Sequence, residues 1–120
     1  EIDVRYPPNM DLDSVLRLVR ERLGDDGYRL EVLHHLDPVE TDPSTRPVVA
    51  LKEVLGDGAR VISVPYATEM VRLKPSNPIV MVCGTGDQQG CHIVDEKIEL
   101  AQVARAAEVY TEFCSRLAKG

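Results

Sequence analysis

Aromatic side chains make up only 4% of this 120-residue chain, and tryptophan is absent. Platforms for stacking bases or sugars need such rings, so binding of that kind is disfavoured. Positive charge is short as well. The formal net charge is −6, whereas a nucleic-acid surface is basic. No apolar run approaches the roughly 20 residues that a helix needs to span a bilayer, and no charged-then-apolar leader opens the chain. Nucleic acid and membrane are therefore not expected partners. The three cysteines, an odd number without metal-finger spacing, suit a reducing cytoplasm better than a disulfide framework. What is present is an ordinary globular mixture, 43% hydrophobic and 28% charged, in a chain one domain long.

Ile2, Val4 and Tyr6 alternate with Asp3 and Arg5, the period-2 pattern of a strand with one buried face. Pro7-Pro8-Asn9 ends it. Asp11 or Asp13 can cap a helix whose stripe is Leu12, Val15, Leu16, Val19 and Leu23, with Gly24 and Gly27 at its exit. Leu30, Val32 and Leu33 predict a second strand over roughly 28–36, so the first third reads β-α-β. Three prolines within 37–47 mark a linker. Pro47 suits the first turn of a helix carrying Val48, Leu51 and Leu55, closed by Gly56. "RVISVPYA" (60–67) is a β-rich run, "TEMVRLK" a helical turn or two, and "PIVMVC" (78–83) a strand buried on both faces. From about Glu96 to Leu117 the apolar positions recur at three and four, an amphipathic helix. The class expected is α/β or α+β in two subregions.

The stretch "CGTGDQQGCHIVDE" (83–96) admits two chemistries. A dinucleotide loop needs Gly-x-Gly-x-x-Gly, but Gln89 stands at the third glycine position and Gly90 comes one residue late. A phosphate loop of the lysine type has no lysine here. A metal role for His92 is the other reading, with Asp95 and Glu96 placed to orient its imidazole or to cap the following helix. One histidine does not make a zinc site, which takes three or four ligands, and a lone histidine is often structural or solvent-facing. His34 and His35 are adjacent in the expected strand and point to opposite faces, so they cannot chelate jointly.

Taken together, "GTGDQQGCHIVDEKIELAQVARAAEVYTEF", "LDPVETDPSTRPVVALKEVLG" with "VPYATEM", and "EIDVRYPP" resemble the C-terminal portion of the dinuclear zinc amidohydrolases and peptidases. That family includes acetylornithine deacetylase, succinyl-diaminopimelate desuccinylase, glutamate carboxypeptidase and aminoacylase. The resemblance implies that His92 is a metal ligand, on one of two zinc ions in the complete enzyme. It implies that Arg5, in "DVRYP", pairs with the substrate carboxylate through its planar fork. Solvent exposure on a strand is the plainer reading of the same arginine. Ala67-Thr68 matches a Gly-Thr turn that contacts substrate, while Thr68 also fits a helix N-cap. Asp95 and Glu96 stand behind the histidine and are not themselves expected to bind metal. Thr85, Cys91 and Glu69 depart from the proline, alanine and aspartate usual at those positions in the family, and by the resemblance none of these departures removes a ligand.

By the same resemblance, 1–41 is the second half of a ferredoxin-like lid or dimerisation domain, and 42–120 the C-terminal part of a catalytic domain with its sheet. The function implied is hydrolysis of the amide of an N-acyl amino acid or small peptide. The general base, the bridging aspartate and the remaining ligands are expected upstream of Glu1, where "EIDVRYP" reads as a strand already in progress. The segment is therefore expected to be inactive alone, to need an N-terminal catalytic segment, and to self-associate as a homo-oligomer. The rival reading is a truncated or degenerate, non-catalytic α/β interaction module that dimerises.

Overall fold

A computed structural model describes residues 1–24, 27–86, 90 and 93–119. Four helices occur among them: α1 (Leu12–Leu23), α2 (Arg46–Leu55), α3 (Met70–Leu73) and α4 (Leu100–Ala118). None is long and apolar enough to cross a membrane. The chain divides into two compact units, 1–41 with 63–80 and 42–62 with 81–120.

In the first unit, α1 starts where local chemistry predicts. The Asp11 carboxylate accepts the Ser14 N–H at 2.7 Å, which satisfies one of the orphan donors at the helix start. Hydrogen bonding from the Ser14 side chain, followed by that backbone bond, holds the Asp11 carboxyl below its ordinary range. The helix ends at Gly24, whose φ of 76° is the left-handed region open to glycine. Val15 is buried and Leu18 and Leu23 stay half exposed, so the apolar stripe is only partly covered. The segment 1–10 lies along this helix and the two enclose an open apolar groove of about 370 Å³. At the far end of the unit, Lys74 Nζ donates to the carbonyls of Glu40 at 2.5 Å and Pro78 at 2.6 Å. The Thr41 hydroxyl donates to the Val80 carbonyl and accepts the Val80 N–H at 3.3 Å, so the 40–41 and 78–80 segments are tied at two points.

The second unit is built on α2 against α4. Val48 and Leu51 of α2 and Val109 of α4 are its buried apolar residues among those described. Asp42 accepts from the Ser44 N–H and hydroxyl at 2.8 and 2.7 Å, shaping the turn before α2 and lowering the Asp42 carboxyl from its usual value. Across the helix pair, Arg116 of α4 reaches Glu53 of α2 at 3.2 Å and holds Glu112, one turn back on its own helix, at 2.8 Å. The Arg46 guanidinium adds a bond to the Leu117 carbonyl at 3.3 Å.

The expectation of an α/β or α+β class, with partial copies of a lid sheet and a catalytic sheet, is overturned. No strand and no sheet forms among the described residues. The stretches read as strands (1–6, 28–36, 60–67 and 78–83) have no regular secondary structure and form no ladder. Alternation of apolar residues sets which face a strand would bury, but a strand also needs a neighbour to accept its backbone hydrogen bonds. No described segment provides that neighbour, and the side chains meant for a sheet face are uncovered: Ile2 is 69% exposed and Ile62 65%. The helices stand close to their predicted bounds, although α4 begins at Leu100 rather than near Glu96.

Candidate functional site

In the first unit Arg5 reaches the carbonyl of Pro65, two residues before the candidate pair Ala67-Thr68. Residues 1–6 carry no regular secondary structure, and two of their charged side chains are paired. Asp3 and Arg5 stand together. Asp3 Oδ2 accepts from Arg5 Nε at 3.2 Å and Nη2 at 3.1 Å. The other terminal nitrogen, Nη1, donates to the Pro65 carbonyl. Pro65 opens the turn that leads through Tyr66 and Ala67 to Thr68, so Arg5 is docked beside that turn although sixty residues separate them. Both partners of the Asp3–Arg5 pair remain mostly open to solvent.

The N-cap position of α3 is Glu69 rather than Thr68. The Thr68 hydroxyl accepts the Met70 N–H at 3.3 Å and its carbonyl the Val71 N–H at 3.2 Å, just ahead of that helix. The Thr68 side chain is half-buried, and Ala67 before it is exposed. The turn is thus a formed element, with its backbone reachable next to the arginine.

The segment carrying Arg5 is anchored by its neighbour. The Tyr6 hydroxyl and His35 Nε2 lie 2.5 Å apart, with their rings nearly coplanar at 3°. Asp37 stands 3.4 Å from the same nitrogen. Burial, with the negative charges of Asp37 and Asp11, pushes the Tyr6 hydroxyl above its usual 10.0. Sequence reasoning weighs His35 only as a chelating partner of His34, sets that aside, and misses this tie. A tyrosine and a histidine twenty-nine residues apart give no local sign that they will meet.

In the second unit, the glycine loop is held at its front by α4. The Tyr110 hydroxyl donates to the Cys83 carbonyl at 2.6 Å, and the Gly86 N–H donates to Gln102 Oε1 at 3.2 Å. Gly86 has φ 99°, which a side chain would rarely tolerate. In the sequence Tyr110 stands out only as part of the apolar stripe of the last helix, and Gln102 not at all. His92, the proposed metal ligand, lies outside the described residues, as does Cys91. Asp95 is exposed and takes φ 64°, a left-handed conformation that aspartate tolerates better than most residues. The Glu96 N–H closes the same turn onto the Ile93 carbonyl at 3.3 Å. Among the described residues no group of three or more histidine, cysteine, aspartate or glutamate side chains could hold a metal ion. They do not form a metal centre by themselves.

The first unit thus offers a guanidinium beside a backbone turn, an arrangement suited to binding a small carboxylate. No curated protein and no solved structure matches the chain. The family-wide sequence model described as peptidase family M20/M25/M40 does match, over residues 3–116. That span takes in Arg5, the 65–68 turn and the glycine loop together. On this match the chain belongs to peptidase family M20/M25/M40, whose function is hydrolysis of the metallopeptidase or amidohydrolase type.

Proposed function

We propose that this chain forms the substrate-holding part of a zinc-dependent amidohydrolase acting on an N-acyl amino acid or small peptide. Arg5 takes the substrate carboxylate, the 67–68 turn lies against the substrate backbone, and His92 contributes one imidazole to the metal. The observation that carries the reading is the docking of Arg5 on the Pro65 carbonyl at the head of that turn. The family match across both elements supports it.

Arg5 supplies a two-point contact that a lysine could not, because its donors sit in a planar fork. Fixing the carboxylate there fixes the distance from the binding site to the amide being cleaved, a contribution of orientation rather than of chemistry. The residues in hand act on binding and orientation. The group that activates water and the remaining metal ligands are proposed to come from other segments, so the 120-residue chain alone is expected to hydrolyse nothing.

The test is substitution in the protein as it occurs. Arg5→Ala is expected to raise KM for an N-acetyl amino acid at least tenfold with a smaller effect on kcat, the pattern of a lost binding contact. Arg5→Lys should restore only part of the loss. His92→Ala should lower bound zinc measured by elemental analysis. Unchanged KM and unchanged metal content would overturn both assignments.

A non-catalytic, self-associating module is the second reading, favoured by the apolar side chains of Ile2, Leu33 and Ile62, all well exposed. Zinc content and turnover of an N-acetyl amino acid separate the two.

A further inference from the structure

We infer that Asp3 is a positioning residue for carboxylate recognition: it braces the Arg5 guanidinium so that one N–H on each terminal nitrogen is kept for the ligand. The inference rests on the reading of Arg5 as the carboxylate-binding group and names a second residue needed to make that group selective.

An arginine side chain carries five N–H donors in one plane. In Arg5 three are engaged among the described residues: Nε and one on Nη2 with Asp3 Oδ2, and one on Nη1 with the Pro65 carbonyl. The remaining two are on different terminal nitrogens. The guanidinium is therefore held along its Nε edge by a carboxylate and at one terminus by a backbone carbonyl. Its plane is set by two attachments from separate stretches of chain, residues 3 and 65. Without the Nε-edge attachment, a long and rotamer-rich side chain that is 62% exposed would sample many orientations.

Asp3 also has an opposing effect. Its negative charge reduces the attraction that Arg5 exerts on any anion. Both side chains are exposed, so water screens that repulsion strongly. An interaction at a fixed bond geometry is not weakened in the same way by distant ions. The bracing effect is thus expected to exceed the charge effect for a ligand that needs both remaining donors, and not for a simple monoanion such as chloride.

The probe is N-acetyl-L-alanine, with N-acetyl-L-alaninamide as the control that lacks a carboxylate. Binding is followed by nuclear magnetic resonance on the full chain, together with the Arg5 Nε–H signal. Asp3→Ala is expected to weaken binding of the acid by roughly three- to fivefold, the scale of an exposed ion pair. It should leave the amide control unaffected and turn the Arg5 Nε–H from protected to solvent-exchanging. Asp3→Asn, which keeps one acceptor oxygen, should fall between, and Asp3→Glu should recover part of the affinity. Equal or tighter binding by Asp3→Ala, while Arg5→Ala abolishes it, would overturn the bracing role and leave Arg5 standing. Binding that survives Arg5→Ala would overturn the reading of Arg5, and the role of Asp3 with it.

Discussion

The hydroxyl of Tyr110, on α4, donates to the carbonyl of Cys83 at 2.6 Å, across twenty-seven residues of chain. The long helix thereby fixes the point at which the glycine loop begins, and Gln102 two turns earlier takes the Gly86 N–H. Tyr110→Phe keeps the ring and removes one hydrogen bond, a loss of about 0.5 kcal/mol for a half-exposed donor. Amide exchange at Gly84 and Gly86 should accelerate while α4 stays protected. Unaltered exchange in the loop would show that the bond does not hold it.

Leu51 is buried where α2 meets α4, in a unit with few other buried apolar residues. Leu51→Ala should destabilise that unit by about 2–3 kcal/mol, near the low end for a buried leucine. Leu100, which is 85% exposed, is the control. Leu100→Ala should change stability by less than about 0.5 kcal/mol. Urea unfolding followed by circular dichroism measures both.

The Asp11 carboxyl lies below its ordinary value because Ser14 hydrogen-bonds to its charged form. A carboxyl depressed in the folded state adds stability that is present above the ordinary value of 3.8 and is lost as pH falls through the depressed one. Helicity of α1 is therefore expected to hold at neutral pH and to fall in acid below that value. Asp11→Asn, which can cap without a charge, should flatten this acid dependence in a circular dichroism titration.

Tyr6 carries the opposite sign. Its hydroxyl is raised above 10.0 by burial and by Asp37 and Asp11, so the folded form favours the neutral phenol. The stabilising contribution is fully present below the ordinary value and is lost as pH rises through the raised one. The contact between segment 1–6 and His35 should loosen in strong alkali. A phenolate absorbance titration should show a component ionising above 10.0 that is missing in Tyr6→Phe, which should also remove the alkaline transition. A Tyr6 that ionises at or below 10.0 would count against the tie.

The starts and ends of the helices were legible in the sequence because local rules govern them. Asp11 caps α1, Gly24 and Gly56 end α1 and α2 at positive φ, and Pro47 sits in the first turn of α2. Each of those choices is made within a few residues of chain. The candidate roles of Arg5 and Ala67-Thr68 rest instead on the resemblance to the zinc amidohydrolases and peptidases, since no local rule of spacing assigns them. The predicted strands failed for the complementary reason: period-2 alternation at Ile2, Val4 and Tyr6 describes a face, and pairing depends on a distant segment that no local pattern names. Only tertiary structure decided that Arg5 meets Pro65, that Tyr6 meets His35 and that Tyr110 meets Cys83. Those contacts join residues sixty, twenty-nine and twenty-seven positions apart, and they form because of how the segments between them pack.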